Sequence, residues 1–238
     1  MRDIAPGRWV RLEAPAPEPR PTTVCDLELA ADFGAIGPST LDAPPPLTVA
    51  SWDIECVSGS LTAFPKASND ADKIVCIATT FAHLGCAEPY LRVAVTLGEC
   101  AAPDPAGEFG SVRFISAATE AELLTRWIEV LHEERADVML GWNTWGFDLP
   151  YVHQRCTGVL LDDDTADPLV DLSALGRNRP LPPQQHDGDE HQQPSRFAPV
   201  RAGSLKTWTL QSGAFGLSTF STIETPGIQQ LDMMQSGE

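Results

Sequence analysis

The run Leu47-Thr-Val-Ala-Ser-Trp-Asp-Ile-Glu55 constrains this chain more than any other segment. It is β-prone and largely apolar, as in a strand buried on both faces. Yet it carries Asp53 and Glu55, two residues apart. In a strand that spacing sends both carboxylates out of the same face. Two acids held so close repel each other, and an apolar strand is a costly place for either unless it is paired or binds a cation. Hard oxygen donors of this kind suit Mg²⁺ or Mn²⁺. The triplet alone is not diagnostic. Asp26-Leu27-Glu28 repeats it after a Pro/Thr stretch, where solvated carboxylates need no partner.

Around this strand the pattern is α/β. Residues 73–83 and 89–97 are rich in Ile, Val and Thr and predict two further strands, with a Gly/Pro/Asn-bearing loop over 58–72. Thr119-Glu-Ala-Glu122 is a capping box, and Leu124, Trp127, Ile128 and Leu131 follow at helical spacing. That helix is expected to end near Arg135. A short buried strand over 137–142 and a helix over 147–156, with Pro150 tolerated in its first turn, come next. A last strand start falls at 228–234. Residues 1–46 read as a small β-rich lead-in closed by Pro44-Pro45-Pro46, and 47–238 as the main domain. Within it, about 180–200 has the composition of a disordered insertion.

The second informative segment is Gly141-Trp-Asn-Thr-Trp-Gly-Phe-Asp148-Leu-Pro-Tyr151. A buried strand ends, the chain turns, and a helix opens on an acid. Asp148 suits the positive end of a helix dipole, and Asn143 suits a turn, so propensity by itself accounts for both. Trp142, at a strand end, is expected in the core, while Trp145 is a candidate platform for base stacking. His186 and His191 match no common metal-ligand spacing, and Asp162-Asp163-Asp164 reads as a solvated loop.

Taken together, Trp52-Asp53-Ile54-Glu55-Cys56 and Asn143-x-x-x-Phe147-Asp148 resemble the first and second exonuclease motifs of family B DNA polymerases. Residues 87–97 and 224–232 are also similar to that family, in particular to its polymerase delta and large-DNA-virus members. The resemblance implies an RNase H-like exonuclease fold, a mixed five-stranded sheet flanked by helices. It implies 3′–5′ proofreading hydrolysis at the single-stranded 3′ end of DNA by a two-metal Mg²⁺ or Mn²⁺ site. Asp53 would bridge the metals, Glu55 would bind the one that activates water, and Asp148 would complete the shell of the second. Asn143, Phe147 and Trp145 would contact the strand.

The chain departs from the family pattern in one respect. The third motif, Y-x-x-x-D, is absent: only Tyr90 and Tyr151 exist, and Ala94 and Arg155 stand four residues after them. The resemblance therefore implies a piece of a polymerase without its palm, poorly active or inactive by itself. A catalytically inactive module that binds nucleic acid or a partner is the alternative. A third reading lets Asp171 or Asp232 complete the site. Composition gives 33 acidic against 16 basic residues, a formal charge of −17, with no Lys/Arg cluster to grip phosphates. No apolar run approaches the roughly 18 residues of a membrane span. The six cysteines form no C-x-x-C pair, as in reduced thiols of an intracellular, for this family nuclear or viral, protein. Polymerase accessory subunits would be met through other regions.

Overall fold

The computed structural model of the protein describes residues 4, 7–60, 62–101, 110–178, 203–212 and 216–234. The proposed insertion and both His186 and His191 lie outside the described residues. Four short strands lead in: β1 (Val10–Leu12), β2 (Ala16–Pro17), β3 (Leu29–Ala30) and β4 (Ile36–Pro38). β1 pairs with β4 and β2 with β3, all antiparallel. The lead-in is tied to the main body where Val24 N–H donates to the Arg177 carbonyl at 2.7 Å.

The main sheet has six strands where five were expected. They are β5 (Thr48–Cys56), β6 (Ile74–His83), β7 (Leu91–Leu97), β8 (Arg113–Ala117), β9 (Val138–Gly141) and, after a hairpin of β10 (Leu205–Ser212) and β11 (Gly216–Ile223), β12 (Gln229–Asp232). The order is β12-β9-β5-β6-β7-β8. β5–β6 and β6–β7 are antiparallel; β5–β9, β9–β12 and β7–β8 are parallel, so the sheet is mixed. The strand that sequence reading missed is β8, a five-residue edge strand whose extended form is drawn out by pairing with β7.

β5 also corrects the expectation of a strand buried on both faces. Thr48, Ala50, Trp52 and Ile54 are buried, whereas Ser51, Asp53 and Glu55 are exposed. The two acids therefore stand on the open face, and the apolar residues between them supply the core. α1 (Glu120–Glu133) lies on the buried side. Its cap, Thr119, accepts the Glu122 N–H at 3.1 Å, and the Glu122 carboxylate accepts the Ala118 N–H at 2.9 Å. Leu124, Trp127, Ile128 and Leu131 are all buried. Trp127 meets Trp52 with ring centroids 4.7 Å apart and donates its indole N–H to Thr79 at 3.2 Å. Each such large apolar side chain stabilises by roughly 1.5–3 kcal/mol when removed from water. α2 (Asp148–Gly158) adds Leu149, Val152 and Cys156 to the same core.

α2 also carries two polar anchors. Arg155 is wholly buried; it pairs with Glu120 at 2.5 Å and donates to the carbonyls of Ala67 and Asn69. Tyr151 donates its hydroxyl to the Asp72 carbonyl at 2.7 Å. The Asp72 carboxylate in turn accepts from Gly59 N at 2.6 Å and Lys66 N at 2.8 Å. The loop between β5 and β6 is thereby fixed to the helix that opens with Asp148.

Candidate active site

The pairing of β5 with β9 ends at Ser51 and Leu140. Beyond that point the ends of β5, β9 and α2 border a cleft of about 750 Å³. Its wall includes Asp53, Asp148, Asn143 and Phe147, together with Trp142 and Phe64. Gly141 permits a close approach at the edge of this cleft, because a Cβ there would meet the Thr144 side chain at 2.5 Å and the Trp52 carbonyl oxygen at 2.6 Å. Trp142, expected in the core, is instead 70% exposed. The chain turns outward just after the tight approach at Gly141, which carries the Trp142 ring to the rim.

Asp148 is the first residue of α2 and is almost fully buried. One of its oxygens accepts the Ile54 N–H at 3.2 Å, satisfying a β5 donor that β9 no longer reaches. Burial pushes the Asp148 carboxyl up to about 7. The hydrogen bond and charge of the neighbouring Asp53 add to the rise, and the Ile54 N–H opposes it. Asp148 therefore holds its proton to higher pH than an ordinary carboxyl. Among the described residues no Lys, Arg or His borders the cleft.

Glu55 projects from the same face of β5, opposite Cys76, and does not border the cleft. Among the described residues no three His, Cys, Asp or Glu side chains gather closely enough to hold a metal ion. The structure therefore brings Asp53 and Asp148 together and leaves Glu55 one strand repeat away. Those two do fit a divalent cation by chemistry: hard oxygen donors, no basic neighbour, and a proton retained where a cation would otherwise neutralise the charge.

Asn143 sits at φ 58, in the left-handed region that Asn tolerates better than most residues. Phe147 packs edge-on against Phe64 at 5.3 Å and against Tyr151 at 5.3 Å. Trp145 does not border the cleft; its ring meets Trp208 of the hairpin at 5.4 Å, and its indole nitrogen is buried. Phe64, 73% exposed on the β5–β6 loop, was not singled out from sequence. No pattern marks it, because a lone Phe in a Pro/Ser/Asn loop gains meaning only from the Phe147 ring beside it. Asp171 caps the short 3₁₀ turn Leu172–Leu175 by accepting the Ser173 N–H, and Asp162 accepts the N–H groups of Asp164 and Thr165. Neither acid borders the cleft.

A mixed sheet with helices packed on it is the architecture of an RNase H-like exonuclease domain. The chain belongs to the DNA polymerase family B exonuclease domain family, whose sequence model matches residues 1–236. It is 34% identical over 235 residues to a DNA polymerase of Paramecium bursaria Chlorella virus NY2A, a match covering 99% of this chain and 23% of that protein. Identity to the DNA polymerase catalytic subunit of human herpesvirus 8 is 33% over 115 residues, covering 48% of this chain and 11% of the relative. With the DNA polymerase delta catalytic subunit of Candida albicans it is 29% over 149 residues, 59% of this chain and 13% of the relative. The chain thus spans under a quarter of the length of these relatives. Among the described residues no helix is long and apolar enough to cross a membrane.

Proposed function

We propose that the chain carries a 3′–5′ exonuclease site for the single-stranded 3′ end of DNA, with Asp53, Asp148 and Glu55 as carboxylate ligands of Mg²⁺ or Mn²⁺. The observation that supports it best is the close Asp53–Asp148 pair in a cleft that, among the described residues, has no basic side chain on its border. A bound divalent cation would neutralise that pair, polarise a phosphate and make a water more acidic. The chain's own residues do the rest. Phe64, Phe147 and Trp142 offer aromatic faces that stack on any base, as a proofreading site requires, since every base has a π-face. Asn143 offers an amide at the cleft wall. Residues 47–238 form the exonuclease unit in this reading and 1–46 a lead-in from the polymerase's N-terminal region. The complete protein would act in DNA replication in the nucleus or in viral infection, with accessory subunits bound elsewhere.

One observation favours a second reading, a binding module without activity: no three metal-ligating side chains gather among the described residues. One experiment addresses both. A short oligothymidylate carries a thiothymidine photoprobe at its 3′ or its 5′ end and is irradiated with the chain and Mn²⁺. The 3′ probe should crosslink to peptides containing Phe64 or Trp142 and the 5′ probe should not; equal labelling contradicts the 3′-end site. With the same oligonucleotide labelled at its 5′ end, Asp53-dependent stepwise shortening supports hydrolysis. Crosslinking without shortening supports the binding module.

A further inference from the structure

We propose that Asp232 is a positioning residue of this site: its buried carboxylate suspends the Gly141–Phe147 turn and thereby sets where α2 begins and Asp148 stands. Asp232 is the last residue of β12, paired in register with Gly141 at the end of β9, and is 0% exposed. A buried carboxylate is costly unless strong donors surround it. One oxygen accepts the N–H groups of Asn143 at 3.0 Å and Met234 at 2.9 Å, and the other accepts the N–H of Trp145 at 2.9 Å. Bonds from N–H groups to an ionised acceptor are roughly twice as strong as neutral ones.

The turn needs such an acceptor. Strand pairing has ended at Gly141, and Asn143 holds φ 58, so the amides of Asn143 and Trp145 point away from any ladder. Three further amides close on the turn itself: Gly146 and Phe147 donate to the Asn143 carbonyl at 3.0 and 2.9 Å, and Leu149 to the Thr144 carbonyl at 2.9 Å. The unit that ends in Asp148 is thus internally bonded and is hung on β12 through Asp232. Both oxygens accept backbone amides, and the residue does not border the cleft, so the role assigned to it runs through the turn.

The proposal rests on Asp53 and Asp148 being the cation centre, and the test separates the two claims. Amide hydrogen exchange and Mn²⁺ affinity, read from water-proton relaxation, are measured on the full chain for wild type, Asp232→Asn and Asp53→Ala. In Asp232→Asn an amino group replaces one acceptor and must face an N–H. The Asn143 and Trp145 amides should then exchange at least about tenfold faster while β5 and β6 amides keep their protection. Mn²⁺ affinity should fall about tenfold with them, since a displaced ligand costs affinity as an absent one does. Asp53→Ala should lose Mn²⁺ binding with both amides still protected. Protected amides in Asp232→Asn, or freed amides with unchanged Mn²⁺ affinity, would overturn the proposal. Absence of Mn²⁺ binding in wild type would overturn both the cation centre and the positioning role that depends on it. If Asp232→Asn does not fold, Asp232→Ser, which keeps one small acceptor, is read in the same way.

Discussion

At the scale of single residues, Asp148 is held in a state that folding disfavours. Its carboxyl is pushed up to about 7 in the fold from an ordinary 3.8. Between those values the folded chain binds more protons than the unfolded chain, so stability falls as pH rises through that window. Below about pH 4 both states are protonated and the penalty vanishes. Asp148→Asn copies the protonated form: its oxygen still accepts the Ile54 N–H and its amide can donate to Asp53. Without divalent cations, this variant should therefore melt several degrees above wild type at pH 8, and the gap should close by about pH 4. A melting temperature at pH 8 below that of wild type would show that burial and Asp53 do not strain this group. The sequence named Asp53 and Asp148 because each lies in a recognisable motif. Their convergence was expected from the paired motifs alone and from no local pattern, because 94 residues separate Ile54 from Asp148 along the chain. Trp142 and Trp145 exchanged roles for a local reason. The close approach at Gly141 and the left-handed Asn143 rotate the turn, sending the first ring to solvent and the second onto Trp208. Periodicity cannot encode such a rotation.

At the scale of elements, α2 supplies one wall of the cleft and anchors the loop at its rim. Asp148 opens it, while Tyr151 and Arg155, one and two turns on, hold the β5–β6 loop that carries Phe64. Replacing Arg155 by Met would leave Glu120 buried and uncompensated. Breaking such a pair should cost about 3–5 kcal/mol in urea unfolding, and Glu120→Gln combined with Arg155→Met should recover part of that loss. A single-variant loss within about 0.5 kcal/mol would remove the pair from any anchoring role. The helices and most strands were legible because their signals are local: the cap at Thr119, the apolar stripe to Leu131, Pro150 in a first turn. The polar anchors were not. Arg155 entered the sequence reading only as the residue standing where an acid was sought, and its partners come from an earlier loop and another helix.

For the molecule as a whole, the formal charge of −17 repels a phosphate strand, and among the described residues nothing basic borders the cleft to offset it. Oligonucleotide binding should therefore require a divalent cation. It should also weaken much less with added monovalent salt than it does for proteins that hold DNA through Lys and Arg, where counterion release sets a steep slope. A steep loss of binding between low and physiological salt would point to a basic surface outside the cleft. The proposed chemistry requires the paired acids to be a cation centre. Titration of the chain with Mn²⁺ at pH 8, followed by water-proton relaxation in wild type, Asp53→Ala and Asp148→Ala, tests this most directly. A saturable site in wild type that is lost in both variants is the expected result. Equal Mn²⁺ binding by all three proteins would assign the ions to the general acidic surface and contradict the account.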